Sequence, residues 1–129
     1  MSHVFPVHVY YEDTDLAGIV YYANYLRYIE RARTEWVRDL GIDQSALKAE
    51  KGVVFAVRRI AADYLLPARF DEDLSVHTDV MRSSSARLVL RQQVWRGETI
   101  IFSAEVTLVA IHESGRPTRL PAMLINWLR

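Results

Sequence analysis

The sequence predicts an α+β fold in which an antiparallel sheet lies against one long helix. Apolar residues alternate at every second position in several segments, and they recur at steps of three and four residues in one long segment. The first pattern is typical of strands and the second of a helix. The turns between the alternating segments are short, which implies antiparallel neighbours, because parallel strands need crossovers of about a dozen residues. One helix against an antiparallel sheet is an α+β arrangement.

The first part of the chain predicts one strand and the long helix. In residues 3–11, Phe5, Val7, Val9 and Tyr11 alternate onto one face, which predicts a strand. From about residue 22 to residue 40 the apolar positions form a broad helical stripe. The stripe consists of Tyr22, Tyr25, Leu26, Ile29, Ala32, Arg33, Trp36, Val37 and Leu40. Gly41 follows where a left-handed residue would end the helix.

The second part predicts a short helix and four more strands. Asp43 is a suitable N-cap for a helix that runs to about Lys51 and ends at Gly52. The predicted strands cover residues 53–65, 74–80, 88–94 and 100–110. Pro121 is suited to the start of a last helical turn that would reach Trp127.

Composition predicts a single soluble domain over residues 1–129. Sixteen basic residues balance sixteen acidic ones, so the chain lacks the net positive charge that favours nucleic acid or anionic membranes. There is no cysteine, which excludes disulfides and thiolate chemistry and fits a reducing cytoplasm. No apolar run approaches the ~20 residues that a membrane span needs, so we expect no membrane insertion.

Most familiar catalytic motifs are missing from the sequence. There is no G-x-S-x-G elbow, no G-x-G-x-x-G or Walker loop, and no metal-ligand spacing among the four histidines. We therefore expect neither a metal nor a cofactor. A hydratase is disfavoured as well, because it would need a histidine paired with Asp or Glu, and the one unusual segment, residues 10–25, contains no histidine.

Residues 10–25 combine a carboxylate-rich turn, a glycine and the start of the long helix. Acidic residues at such a place commonly cap a helix and complement its positive end, and we assign Asp13 this structural role. A metal-binding pair of Asp13 and Asp15 would lack a third ligand. From its position alone, Asp15 has either a structural or a chemical role.

The order of residues in this segment resembles the 4-hydroxybenzoyl-CoA thioesterase family of hotdog proteins. It is most similar to the bacterial acyl-CoA thioesterases associated with the Tol–Pal envelope system. The shared pattern consists of Tyr11, Thr14-Asp15, Gly18, Ile19-Val20, Tyr21 and Tyr25, and the likeness continues in residues 30–35, 63–69 and 116–121. The resemblance therefore spans essentially the whole chain.

The resemblance implies a five-stranded antiparallel sheet wrapped around one long central helix, with acyl-CoA thioesterase activity. It makes Asp15 the catalytic carboxylate, which either attacks the thioester carbonyl or activates water. Both routes are open, because a thiolate leaving group needs little acid assistance. The same resemblance makes the main-chain N–H of Tyr22 the donor to the developing oxyanion.

The resemblance also implies which residues bind substrate. Those expected to line or brace the pocket are Gly18, Val20, Tyr21, Asn24 and Tyr25. For Tyr25, a core position on the helical stripe is an equally good interpretation. Many relatives have histidine where this chain has Tyr22, which leaves short aliphatic and aromatic acyl groups both open.

Partners follow from the family as well. Arg82 and Arg87 flank a serine turn where the family often binds the phosphates of coenzyme A, although they also fit ordinary solvated turn arginines. A dimer or tetramer is expected, with the pocket between subunits. Two other functions remain: hydrolysis of thioesters on acyl carrier protein, and non-catalytic acyl binding in a lipid or envelope assembly.

Overall fold

The structure, a computed structural model, describes residues 2–122 and 124. Its strands are β1 (His3–His8), β2 (Val53–Tyr64), β3 (Asp73–Ser83), β4 (Arg87–Arg96), β5 (Thr99–His112) and β6 (Pro117–Thr118). Its helices are α1 (Asn24–Asp39) and α2 (Gln44–Lys51), and a short 3-10 helix spans Tyr11–Asp13. Among the described residues, no helix is both long and apolar enough to cross a membrane.

The strands form one antiparallel sheet in the order β1-β3-β4-β5-β2. The short β6 pairs with Ala110 and Ile111 near the C-terminal end of β5. The long helix α1 packs against β1, β3 and β4. This arrangement confirms the predicted α+β hotdog fold. Strand β6 was not predicted, because two residues are too few to produce an alternating pattern.

The helix α1 begins two residues later than the stripe predicts. Tyr22 therefore lies outside the helix and is 61% exposed. Tyr28 was not assigned to the stripe, yet it is fully buried. Its hydroxyl is near the Asp13 carboxylate but makes no well-aligned hydrogen bond to a described atom. Burial first, and then the nearby Asp13 carboxylate, raise the pKa of Tyr28 well above its ordinary value.

A buried polar group ties α1 to the sheet. The Gln92 side chain is fully buried, and its Nε2 donates to the Ile29 carbonyl at 2.9 Å and to Thr78 Oγ1 at 3.0 Å. Its Oε1 accepts from Arg33 Nη1 at 2.9 Å. Burial lowers the pKa of Arg33, an effect that the charge of Glu30 opposes. These bonds satisfy polar atoms that would otherwise be costly to bury.

The predicted helix ends are confirmed. Gly41 has φ 88° and Gly52 has φ 65°, both left-handed. Asp43 Oδ1 accepts from the Ala46 N–H at 3.0 Å, as an N-cap should. Gly52 also has little space, since an added Cβ would lie 2.9 Å from His112 Nε2.

The predicted end of the first strand differs from the structure, and the predicted last helix lies partly outside the described residues. Strand β1 ends at His8 instead of continuing to residue 11, because the chain turns into the 3-10 helix at Tyr11. The Leu124 N–H donates to the Pro121 carbonyl at 3.0 Å, which is one turn of the predicted last helix. Residues 123 and 125–127 of that helix are outside the described residues.

Candidate active site

The loop that carries Asp15 is a tight hairpin. Thr14 and Val20 form an isolated antiparallel bridge across it. Inside the bridge, the Asp15 N–H donates to the Ile19 carbonyl at 3.0 Å, and the Gly18 N–H donates to the Asp15 carbonyl at 2.9 Å. Gly18 has φ 79°, and an added Cβ would meet no atom within 4 Å. Glycine is therefore favoured here for its left-handed backbone, not for lack of space.

The carboxylate of Asp15 faces outward. Its Oδ1 accepts from the Ala17 N–H at 2.9 Å, which fixes the side chain against its own loop. The other oxygen accepts no hydrogen bond from the part of the chain that the structure describes. Asp15 is exposed in the single chain. This group is therefore open to water.

Asp13 has the structural role predicted for it, although the group that it caps is different. Its Oδ2 accepts from the Tyr10 N–H at 2.9 Å, so it caps the 3-10 helix and not α1. Its carbonyl oxygen accepts from the Tyr21 N–H at 2.9 Å and from Asn24 Nδ2 at 2.9 Å. Asp13 therefore connects the acidic turn to the start of α1. Asn24 braces this connection.

The peptide before α1 presents a free donor. Ala23 is the N-cap of α1, and the Asn24 N–H donates back to the Tyr21 carbonyl at 2.8 Å. Within the described residues, no acceptor binds the Tyr22 N–H. The carbonyl of Tyr22 is held, since it accepts from the Tyr64 hydroxyl at 3.0 Å. A free N–H next to the positive end of a helix suits a negatively charged oxygen.

A second segment, residues 67–72, is hydrogen-bonded to the Asp15 loop. The Val20 N–H donates to the Ala68 carbonyl at 2.8 Å, and Ile19 pairs with Arg69 in an isolated bridge. The Ala68 N–H donates to the Tyr25 hydroxyl at 3.1 Å. Two residues predicted to line the pocket, Val20 and Tyr25, are each only 3% exposed. Their side chains lie in the core, from which they position the loop.

Tyr25 is a core residue in its other contacts as well. Its ring stacks on Phe102 at 5.0 Å with an interplanar angle of 11°. Burial raises the pKa of Tyr25, and the hydrogen bond from the Ala68 N–H opposes this by lowering it. The structure thus supports the core interpretation of Tyr25, with an added bracing role for its hydroxyl.

An aromatic rim surrounds the loop. The rings of Tyr21 and Tyr22 are 4.9 Å apart, and that of Tyr22 lies 6.2 Å from Tyr64. The neighbouring Tyr22 phenol raises the pKa of Tyr21, and the negative charge of Asp15 adds to the effect. Other exposed apolar side chains of these segments are Tyr10, Tyr11, Leu16, Leu65, Leu66 and Phe70.

Arg82 and Arg87, which the resemblance implies for phosphate binding, lie outside the Asp15 loop. Arg82 and Arg87 line a groove of about 400 Å³ whose walls include no residue of the Asp15 loop. Arg82 Nη2 donates to Glu105 Oε1 at 3.1 Å. Over residues 2–122 and 124, no three His, Asp or Glu side chains are close enough to hold a metal ion. That the site needs neither metal nor cofactor stays a prediction.

Sequence reasoning missed Tyr64 as a site residue. It lies 42 positions from Tyr22 along the chain, at the end of a strand, and only the sheet brings its hydroxyl to the Tyr22 carbonyl. The one available signal was its place in residues 63–69, which share the family likeness.

Known proteins resemble the chain in both sequence and structure. Residues 9–128 match the thioesterase-like superfamily. The acyl-CoA thioester hydrolase YbgC of Escherichia coli is 40% identical over 122 residues, which cover 93% of this chain and 90% of that protein. The acyl-CoA thioesterase YbgC of Haemophilus influenzae is 40% identical over 107 residues, 83% of this chain and 79% of its own.

A solved structure agrees with these relatives. The probable thioesterase from Bartonella henselae has a TM-score of 0.89 at 36% identity, covering 94% of this chain and 100% of that one. Together these findings confirm the resemblance predicted from the pattern in residues 10–25. The hotdog sheet, the glycine hairpin that carries Asp15 and the match over residues 9–128 agree, and the chain belongs to the thioesterase-like superfamily.

Proposed function

We propose that the protein hydrolyses the thioester of a short-chain aliphatic or aromatic acyl-CoA, with Asp15 as its catalytic carboxylate. That the chain is an acyl-CoA thioester hydrolase rests on relatives of that name at 40% identity over most of its length. One observation carries the site: the exposed Asp15 carboxylate and the free Tyr22 N–H belong to one short, hydrogen-bonded segment before α1. A base or nucleophile and an oxyanion donor are what thioester hydrolysis requires.

Two routes fit this pair of groups. In the first, an Asp15 oxygen attacks the carbonyl carbon, coenzyme A leaves as a thiolate, and water then hydrolyses the mixed anhydride. In the second, Asp15 takes a proton from a water molecule whose oxygen attacks the same carbon, and the C–S bond breaks to release coenzyme A as a thiolate and the free acid. Negative charge develops on the carbonyl oxygen in both, and the Tyr22 N–H stabilises it.

The remaining predicted residues hold this geometry. Gly18 permits the hairpin, while Val20 and Tyr25 fix it to the core through Ala68. Asn24 binds the acidic turn through the Asp13 carbonyl. This leaves the exposed rings of Tyr21 and Tyr22 as our proposed acyl contacts.

The experiment that tests this function is turnover of a panel of acyl-CoAs, followed by release of free thiol. We expect hydrolysis of aromatic or short aliphatic substrates, unaffected by chelator. Turnover of acylated carrier protein alone would instead make that protein the substrate. Saturable binding of every acyl-CoA without thiol release would favour the non-catalytic alternative. The absence of cysteine fits the cytoplasm, where we propose that the protein acts.

We also propose that the active form is a dimer or tetramer. Strand β2 is an edge of the sheet and is 12 residues long, and an unpaired edge of that length invites pairing with another chain. Val57, Tyr64 and Leu65 at or just beyond this edge are 42%, 46% and 54% exposed. A second copy on this edge would cover them and shield the outward-facing Asp15 from bulk water.

A charge on the β2 edge should therefore separate the subunits. We expect Val57→Asp to give a particle near the monomer mass of 14.9 kDa in light scattering, with most activity lost. Val4→Asp is the matched control, since Val4 is 53% exposed on the opposite edge strand, and it should keep the wild-type mass. A wild-type monomer with full activity would contradict the proposal.

A further inference from the structure

His8, the last residue of β1, is bonded to a carboxylate through each of its two ring nitrogens. Its Nδ1 donates to Asp73 Oδ1 at 2.7 Å, and its Nε2 donates to Asp71 Oδ1 at 2.9 Å. Asp73 begins β3 and pairs with His8 in the sheet, whereas Asp71 belongs to the turn just before that strand. The function proposed above gives His8 no role.

The two bonds define the charge of the His8 ring. A carboxylate, which is ionised near neutral pH, can only accept a hydrogen bond, and a neutral imidazole has one N–H to donate. Both bonds therefore exist together only when His8 is an imidazolium. The hydrogen bond with Asp73 is the largest influence on the pKa of His8 and raises it, partial desolvation lowers it, and the bond with Asp71 raises it again. The result is a pKa above the ordinary value of 6.5.

No further ion pair competes for this ring. Within the part of the chain that the structure describes, the His8 side chain makes no hydrogen bond or ion pair except with the two aspartates. The uncharged ring of Tyr10 meets it edge-on at 5.1 Å. Glu72, which lies between the aspartates, is paired instead with Arg96 at 3.2 Å. The charge of His8 is thus directed to one place.

The turn that His8 binds is also held by the backbone that follows β1. The Val9 N–H donates to the Glu72 carbonyl at 2.9 Å, and the Asp71 N–H donates to the Val9 carbonyl at 2.9 Å. Asp71 has φ 70°, a left-handed conformation that is uncommon for a residue with a side chain. The bond from His8 therefore restrains a residue whose backbone conformation is unfavourable.

This turn belongs to residues 67–72, the segment that is bonded to the hairpin carrying the catalytic carboxylate. The Val20 N–H of the hairpin donates to the Ala68 carbonyl at 2.8 Å, and Ile19 forms a bridge with Arg69. The Arg69 N–H donates in turn to Glu72 Oε1 at 2.6 Å. A continuous set of hydrogen bonds therefore leads from His8 to the hairpin.

His8 also contacts the acidic turn on the other side of the hairpin. Tyr10, whose ring meets that of His8, is the N-cap of the 3-10 helix, and its N–H donates to Asp13 Oδ2 at 2.9 Å. The rings of Tyr11 and Phe70 lie 6.2 Å apart, so the acidic turn and residues 67–72 also meet directly. His8 lies where these two segments converge.

We propose that His8, as an imidazolium bound to Asp71 and Asp73, is a positioning residue for the Asp15 carboxylate. The inference rests on the proposed function and adds a pH dependence to it. When His8 loses its proton, one ring nitrogen becomes an acceptor that faces a carboxylate oxygen, so one of the two bonds is lost. The turn that supports the hairpin is then less restrained.

The direction of the pH dependence follows from the raised pKa. Because the pKa of folded His8 lies above 6.5, both bonds are fully present below that pH and are lost as the pH rises through the folded pKa. The two aspartate side chains are 71% and 88% exposed, so water and salt screen the interaction. We therefore expect kcat to decline over this range by roughly twofold to fivefold, the scale of exposed ion pairs.

Two substitutions distinguish the charge of His8 from its titration. Arginine stays charged at every accessible pH and can bind carboxylates, so His8→Arg should keep kcat high and abolish the decline. Glutamine is never charged, so His8→Gln should have the lower kcat across the whole range. His3→Gln is the matched control, because His3 lies on the same strand and its Nε2 is 2.8 Å from Asp39, at the far end of α1. It should keep the wild-type profile of kcat against pH.

NMR gives a readout that needs no turnover. The backbone amides of Asp15 and Val20 close and anchor the hairpin, so their resonances should shift with the same midpoint as the His8 ring, and should not do so in His8→Arg. Amides that ignore the titration of His8, or a decline in kcat that persists in His8→Arg or disappears in His3→Gln, would overturn the inference even in an active thioesterase. Amides that follow His8 in a protein without hydrolysis would keep the coupling and reject the proposed function.

Discussion

Asp15→Asn should lower kcat for acyl-CoA hydrolysis by at least about a hundredfold, the scale expected when a catalytic base is lost. The amide is nearly the same size as the carboxylate, but it is neither a nucleophile nor a base. Its oxygen can still accept from the Ala17 N–H, so the hairpin should persist. We therefore expect KM and the melting temperature to stay close to wild type, as measured by steady-state kinetics and circular dichroism.

Asp13→Asn is the control for this substitution. It makes the same chemical change two residues away, where the side-chain oxygen only caps the Tyr10 N–H at 2.9 Å. An amide oxygen can accept that bond, so most activity should remain. An Asp15→Asn protein that keeps more than a tenth of wild-type kcat would remove Asp15 from the mechanism. Equal losses at both positions would point to a bound metal instead.

Tyr22→Pro should lower kcat by about a hundredfold to a thousandfold, the usual effect of removing one oxyanion donor. Proline deletes the N–H but keeps the carbonyl that accepts from Tyr64. Tyr22 also lies before α1, so no bond within the helix is lost. Single-turnover kinetics on a variant shown by circular dichroism to be folded would measure the effect.

Substitutions that keep the Tyr22 N–H separate the backbone from the ring. Tyr22→Phe and Tyr22→His should remain active, yet they should rank aromatic and short aliphatic acyl-CoAs differently, by roughly tenfold to two-hundredfold in kcat/KM. Normal turnover by a folded proline variant would mean that the oxyanion is bound elsewhere. An unchanged ranking in the other two would mean that the ring faces away from substrate. If the proline variant does not fold, Tyr64→Phe tests the position of Tyr22 instead. This change removes the hydrogen bond to the Tyr22 carbonyl, and we expect it to lower kcat more than it changes KM.

Local features of this protein could be predicted from the sequence. The long helix, its Gly41 end, the Asp43 cap and the strand pattern depend on residues a few positions apart. The Gly18 hairpin is local too, since it is closed by bonds between residues 15 and 19. Such features arise from backbone preferences and short-range hydrogen bonds, which a sequence states directly.

Other features were decided only by the tertiary structure. The sheet order places β2 at an edge beside β5, and that pairing brings Tyr64 to the Tyr22 carbonyl. The exposure of Asp15 likewise depends on which surfaces fold over it. The bulge at Arg58 exists only in the register of β2 against β5. Registers and surface contacts join residues far apart in the chain, so the sum of many packing contacts fixes them and no local pattern records them.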